Sequence, residues 1–300
     1  MIAAETIIPT SPGTDSVIER LIGMSHAKPT DIEDFVHWDV GVDRSRLPKP
    51  ERHSWIYGTH HWDGLSEAQR MEVLWDENAR DITMFILLEQ YIPVLYTGYI
   101  NTYRDQITPT VYEYLMIFCK EELVHILAFR RYMKMANLEL YNPPAGYARL
   151  FDRLPQEHPI IGILFVLCIE WMAELAAMHN VRNHDVDPLT KEIYLVHHEG
   201  EVRHIGFGRR IVESFFEVAP PEMLTKIREM VRNNLEDLFA QFTYKPEIAD
   251  RVSFKFPIAS NDEEEIAKIR SSDHNRQINQ ERFGELYAWL GKLELMGSVQ

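Results

Sequence analysis

Two segments of this chain carry the same pair of ligand-type residues at helical spacing. The pairs are Glu122-Leu-Val-His125 and Glu201-Val-Arg-His204. Residues three apart share one face of an α-helix, so each pair presents a carboxylate and an imidazole in the same direction. One such pair alone arises often by chance on a charged helix. It is therefore weak evidence for a metal site.

Each pair is preceded by an acidic residue in an unusually apolar stretch. Glu89 lies in FILLEQYIPVL and Glu170 lies in LFVLCIEWMAEL, where an unpaired carboxylate would be costly to bury. Glu89 precedes Glu122 by 33 residues, and Glu170 precedes Glu201 by 31. The chain thus repeats a helix with Glu followed by a helix with Glu-x-x-His. That order is the pattern of four-helix bundles that hold two metal ions through carboxylates.

A further imidazole can join this set. At about 100° per residue, His197, Glu201 and His204 fall within an arc of about 60° on one helix. His198 is rotated about a quarter-turn off that face. Carboxylate oxygens and imidazole nitrogens suit ferrous and ferric iron, and four carboxylates balance two ferrous ions. No thiolate belongs to the set, which argues against zinc-ribbon and iron–sulfur sites, although the donors leave iron and manganese both open.

The rest of the chain predicts an all-α protein with a ferritin-like four-helix bundle core and additional flanking helices. Helical periodicity begins at Ser66, with Asn78 or Asp81 as possible starts of the first long helix. Further helices are predicted over Thr108–Met135, Pro159–His184, Pro188–Glu217, Pro221–Phe242 and His274–Leu295. Strand signals are scarce, since no segment longer than Arg251–Phe256 alternates cleanly between apolar and polar residues.

We expect residues 1–300 to form a single domain with the ferritin-like bundle at its centre. In it, residues 1–65 are an irregular lead-in that wraps the core, because five prolines interrupt them. Residues 66–243 form the helical core, and residues 244–300 form a C-terminal segment with a final helix. This helix is amphipathic and is expected to pack on the bundle or on a second subunit.

Charge and composition exclude several classes of partner. The chain has 46 acidic and 31 basic side chains, a formal charge of -15, which repels both nucleic acid and an anionic membrane surface. No apolar run approaches the length of a membrane span, and the start lacks the features of a signal peptide. Cys119 and Cys168 lie singly in apolar stretches and are interpreted as buried free thiols, so we expect a cytoplasmic protein.

The order Glu, Glu-x-x-His, Glu, His-x-x-x-Glu-x-x-His resembles the arylamine N-oxygenase family, whose type member oxidises p-aminobenzoate to p-nitrobenzoate. The extra histidine separates that family from ferritin-like proteins with two histidines. The segment YGTHHWDGLSEAQRMEVLWDENA also resembles the family's lead-in to the first ligand helix. The likeness covers about residues 55 to 240.

The resemblance implies a complete set of metal ligands. They are Glu89, Glu122, His125, Glu170, His197, Glu201 and His204. Two positions have neighbours in helical reach: Glu121 beside Glu122, and Glu174 one turn beyond Glu170, with the family spacing favouring Glu122 and Glu170. No catalytic residue beyond the ligands is assigned. Side chains such as Arg203 are expected to contact ligating histidines.

The resemblance also implies a function. We expect an oxygenase that uses two iron ions and O2 as co-substrate to oxidise an amine nitrogen, through hydroxylamine and nitroso stages toward a nitro or azoxy product. Natural-product (antibiotic) biosynthesis is the expected setting, and a homodimer the expected assembly. The sequence has no Gly-x-Gly-x-x-Gly fingerprint and no cysteine cluster, so electrons are expected from an external reductase, ferredoxin or small reductant.

Other interpretations stay open. A ferritin-like iron-oxidising or peroxide-scavenging protein would use the same ligands without an organic substrate. A diiron oxygenase could instead act on C–H or acyl substrates. The histidines of HSWIYGTHHW, namely His53, His60 and His61, are interpreted as capping or shielding the bundle rather than as a second metal site.

Overall fold

The computed structural model is mostly helical over the ranges that it describes, which are residues 6–29, 31–143, 147–181, 183–239 and 242–296. In these ranges β-pairing is limited to one isolated bridge between Leu47 and Val186. The alternating segment Arg251–Phe256 forms turns and bends. The all-α prediction is therefore confirmed.

Eleven α-helices follow one another along the described ranges, with short 3-10 turns between some of them. They are α1 Thr14–Ala27, α2 Ile32–Phe35, α3 His60–Asp63, α4 Glu67–Thr102, α5 Pro109–Met135, α6 Tyr147–Arg153, α7 Pro159–Val181, α8 Pro188–Val218, α9 Pro221–Phe239, α10 Glu263–Arg270 and α11 Asp273–Lys292.

Four long helices, α4, α5, α7 and α8, make the bundle. Each is joined to its main partner along the chain, so α4 packs most extensively on α5, and α7 on α8. The two pairs meet through contacts of α5 with α8 and of α4 with α7. This arrangement turns one face of every long helix toward a common interior, as the predicted ferritin-like bundle requires.

The sequence fixes where these helices begin. Ser66 caps α4 in a reciprocal capping box with Gln69, in which each side chain accepts a hydrogen bond from the other residue's backbone N–H. Thr108 caps α5 just before Pro109, and Asp187 caps α8 just before Pro188.

The start proposed for α4 at Asn78 or Asp81 is wrong, because the helix is continuous from Glu67. Asn78 lies inside it, fully buried, where its amide donates to the Tyr132 hydroxyl and accepts from that of Tyr194. The other predicted ends differ by a few residues. The short helix α10, in the acidic stretch after the bundle, was not predicted.

Helix α7 is apolar on nearly every side because other helices surround it. All its residues from Pro159 to Ala173 are buried, between α4, α8 and the C-terminal helix α11. Trp289 of α11 lies against Trp171 of α7, with ring centroids 5.7 Å apart. The final helix thus packs on the bundle of its own chain, which was one of its two predicted positions.

The lead-in also packs on the bundle. Helix α1 contacts both α5 and α8. None of the helices in the described part of the chain is long and apolar enough to cross a membrane.

The contact between α4 and α7 is tight at one glycine. A Cβ atom added to Gly162 would lie 2.1 Å from the Tyr99 hydroxyl oxygen and 2.8 Å from its ring. That hydroxyl donates a 2.9 Å hydrogen bond to the Leu154 carbonyl. The substitution Gly162→Ala must displace Tyr99 and strip the carbonyl of its donor, so it should lower the free energy of unfolding by about 2 to 4 kcal/mol.

Gly98→Ala is the matched control, since Gly98 lies in α4 with nothing within 4 Å of an added Cβ. Helix propensity alone should leave that variant unchanged or stabilise it by up to about 1 kcal/mol. Thermal unfolding of both variants measures the difference. A midpoint for Gly162→Ala equal to that of Gly98→Ala would contradict this packing.

Candidate metal centre

The four long helices bring all seven predicted ligands together in the bundle interior. Their donor atoms form two groups, and within each group the atoms lie within 4.8 Å of one another. The first group is Glu89, His125 and His197; the second is Glu122, Glu170, Glu201 and His204. All seven residues are at most 3% exposed. The seven residues, which are regularly spaced along the sequence, therefore converge in space.

Two carboxylates face both groups. Glu201 Oε1 lies 2.9 Å from His125 Nδ1, and Glu201 Oε2 lies 3.0 Å from His204 Nδ1. Glu122 shows the same pattern, at 3.6 Å from His125 Nδ1 and 2.8 Å from His204 Nδ1. Glu122 and Glu201 come from α5 and α8, the two helices that carry Glu-x-x-His.

Many donor atoms in the cluster have no hydrogen bond, although they are fully buried. These atoms are Glu89 Oε2, both oxygens of Glu122, both ring nitrogens of His125, Glu170 Oε1, His197 Nδ1 and Glu201 Oε1. Several of these atoms lie within 3 Å of another ligand atom of the cluster, but the angles are unfavourable for a hydrogen bond. Buried polar atoms are rarely left this way. Donors that point at a common space without bonding one another are suited to a shared cation.

The electrostatics of the cluster favour positive charge. Burial, with the Glu122 carboxylate next, raises the pKa of Glu89 well above its ordinary value. Burial likewise raises the pKa of Glu170, and the Glu201 and Glu122 carboxylates add to the shift. Glu89 and Glu170 thus do not ionise easily in this interior. Divalent cations would offset the repulsion among the carboxylates.

The chain matches the sequence profile of the p-aminobenzoate N-oxygenase AurF family over residues 11–294. The chain belongs to this family. Its members are diiron oxygenases with a helical, ferritin-like fold, so the protein is an oxidoreductase. No individually curated protein matches the chain.

Two neighbouring glutamates of α5, Glu121 and Glu122, lie in different positions relative to the cluster. Glu122 joins the four-donor group, whereas Glu121 lies outside it and accepts a 2.8 Å hydrogen bond from His204 Nε2. The other oxygen of Glu121 accepts from Arg203, 3.0 Å away. Arg203 also donates to the Ser25 hydroxyl at 3.0 Å. A chain of contacts therefore runs from α1 to the His204 imidazole.

The second pair of alternatives on α7 separates in the same way. Glu170 belongs to the four-donor group, whereas Glu174, one turn later, is hydrogen-bonded to His198. His198 is therefore turned away from the cluster, as its helical angle predicted. Sequence reasoning did not find this pair, although Glu174 and His198 each follow a predicted ligand by one turn or one residue.

Aromatic rings close around the imidazoles. The Phe118 ring stacks on His204, with centroids 3.7 Å apart and planes inclined by 13°. Phe129 and Phe85 lie 4.9 and 5.6 Å from the His197 ring. Their contacts fix the orientation of the imidazoles and keep water from them.

The Glu121 contact predicts a measurable role in metal binding. A carboxylate that accepts from the outer nitrogen of a ligating histidine fixes the ring and increases its basicity. Glu121→Gln keeps the size of the side chain but leaves one acceptor oxygen for two donors. It should weaken Fe2+ binding by about 10- to 100-fold.

Anaerobic competition with a chromophoric chelator measures this affinity. Glu113→Gln is the control, because Glu113 lies on the exposed side of the same helix. An affinity in Glu121→Gln equal to that of the control would show that Glu121 does not act on the cluster.

Proposed function

We propose that the seven clustered residues bind two iron ions and that the enzyme uses them with O2 to oxidise the nitrogen of an arylamine. Support comes chiefly from one observation, the convergence of seven buried carboxylate and imidazole donors in two adjacent groups. Membership of the p-aminobenzoate N-oxygenase family supports the substrate class.

The residues present fit two irons in number, charge and chemistry. One position would be held by Glu89, His125 and His197, and the other by Glu170 and His204. Glu122 and Glu201 face the histidines of both groups and would contribute carboxylate oxygens to both positions. Oxygen and nitrogen donors without a thiolate suit iron. Four carboxylates neutralise two ferrous ions, so the loaded centre adds little net charge to the interior.

When bound, the two irons activate O2 for oxygen transfer to the amine. The side chains of this enzyme hold the donors in place and exclude water. Phe118 and Phe129 cover imidazoles of the second and first groups, respectively, and Glu121 holds the His204 ring by its outer nitrogen. Exclusion of water protects reactive oxygen species from side reactions.

The first step at nitrogen, from amine to hydroxylamine, needs an external source of electrons. Converting an amine to a hydroxylamine with O2 leaves the second oxygen atom as water, which consumes two electrons and two protons. We propose that a reductase, a ferredoxin or a small reductant supplies them. A role in natural-product biosynthesis and a homodimeric assembly are also proposed, by resemblance to the family. The C-terminal helix no longer supports the dimer, since its apolar side is used within the chain.

Replacing His197 tests the proposed ligand set. His197→Ala removes one of three donors from the first group and leaves the second group complete. The variant should fold but lose or weaken one of the two iron positions, because the remaining donors cannot complete it. Mössbauer spectroscopy of protein loaded with 57Fe, together with iron content, measures the change.

His198→Ala is the matched control, because His198 is the next residue on the same helix and pairs with Glu174 outside the cluster. It should retain both iron positions. Spectra of His197→Ala identical to those of the control would remove His197 from the ligand set.

The reaction itself is tested by a single turnover with labelled oxygen. Anaerobically reduced, iron-loaded enzyme is mixed with 18O2 and p-aminobenzoate or a related arylamine, and the products are analysed by mass spectrometry. We expect labelled oxygen on nitrogen, as hydroxylamine, nitroso or nitro product. Glu122→Ala, which removes a carboxylate proposed for both positions, should give none, while the exposed-face variant Glu113→Gln should behave as the unmodified enzyme.

The other interpretations give different results in this experiment. Rapid iron oxidation with every amine unchanged would indicate a ferritin-like iron-oxidising protein. Label on carbon, or a new alkene, would indicate an oxygenase that acts on C–H bonds. Either result would overturn the proposed amine oxidation.

A further inference from the structure

A second group of metal-ligand side chains lies outside the bundle interior. His60 and His61 belong to α3, immediately before the first bundle helix, and Glu265 belongs to α10 in the C-terminal segment. One donor atom from each lies within 4.8 Å of the others. His61 Nε2 is 2.8 Å from Glu265 Oε1, and the two imidazole rings have centroids 3.9 Å apart.

The backbone beneath these side chains is well anchored. Trp62, the residue after His61, is 2% exposed, and its backbone N–H donates to the Thr59 side chain. On the other side, Ile266 and Ile269 hold α10 in the same apolar cluster as Trp62. The three donors are therefore brought together by two fixed elements and need little reordering to bind an ion.

An ion pair between His61 and Glu265 does not account for the position of His60. Two imidazoles and one carboxylate form a donor set that suits Zn2+ and similar divalent ions, with open positions for water. Glu263 and Glu264 at the start of α10 add negative charge nearby.

One competing cation is present. Lys268 Nζ lies 3.3 Å from Glu265 Oε2 and 2.9 Å from Glu264 Oε1. It uses the oxygen of Glu265 that is turned away from His61. Oε1 thus remains directed at His61, and Lys268 holds the carboxylate in that orientation.

We propose that His60, His61 and Glu265 bind a divalent cation of the Zn2+ type, which ties α10 to the turn before α4. This differs from the interpretation of these histidines as capping residues. The site is independent of the diiron cluster, since it shares no residue with it. Its role is to fasten the C-terminal segment at the point where the first bundle helix begins.

The test is isothermal titration calorimetry, in which zinc chloride is added to the iron-loaded, untagged protein. We expect one zinc ion to bind per chain without release of iron. His61→Ala and Glu265→Gln should each weaken that binding by at least about tenfold, since each removes one of three ligands. His37→Ala is the matched control, because His37 is an exposed histidine bonded to a glutamate with no third donor grouped beside it among the described residues.

Hydrogen exchange gives a second readout that does not depend on catalysis. Zinc should slow amide exchange over residues 263–270 in the unmodified protein and in His37→Ala, but not in Glu265→Gln. The site is overturned if no zinc binds, or if zinc binds equally well to His61→Ala and Glu265→Gln. If zinc instead replaced iron at the cluster of seven residues, both variants would still bind it. That result would also count against the proposed site. Binding without slower exchange over 263–270 would overturn the tie.

Discussion

The burial of four carboxylates and three imidazoles in an apolar bundle is the constraint on which the rest of this structure depends. A single buried carboxylate is costly, and four within a few ångströms also repel one another. The fold accommodates them by taking one from each of four long helices, so that no helix surrenders its apolar face. Around the cluster, rings such as Phe118 and Phe129 exclude water, which strengthens every charge interaction inside.

The flanking helices contribute to this interior as well as covering it. Helix α11 covers α7, which lets a helix with apolar residues on nearly all sides carry Glu170 into the core. Helix α1 supplies Ser25, which accepts a hydrogen bond from Arg203, and Arg203 in turn contacts Glu121. The orientation of the His204 ring therefore depends on a segment nearly 180 residues away in the sequence. A four-helix description alone would miss this support.

Helical geometry explains why so much of the site was predictable. Residues spaced by three or four share a helix face whatever the bundle around them. The common face of His197, Glu201 and His204 on α8 therefore follows from the sequence. Adjacent residues are harder to separate. Glu121 and Glu122 are both buried. Glu121 contacts Arg203 and the outer nitrogen of His204, whereas Glu122 faces the other ring nitrogen of His204, and local periodicity cannot show this difference.

The predicted start of α4 was wrong for a related reason. Asparagine is a common N-cap residue, but the side chain of Asn78 is bonded inside the bundle to Tyr132 of α5 and Tyr194 of α8. Such partners are set by tertiary packing.

Under the proposed assignment, tertiary packing also makes the two iron positions unequal. The first has two imidazoles and Glu89, whereas the second has Glu170 and a single imidazole, His204, whose outer nitrogen donates to Glu121. An outer carboxylate makes an imidazole a stronger donor. An iron held by His204 would therefore receive the stronger imidazole donor, so the contacts within this chain would themselves make the two positions differ.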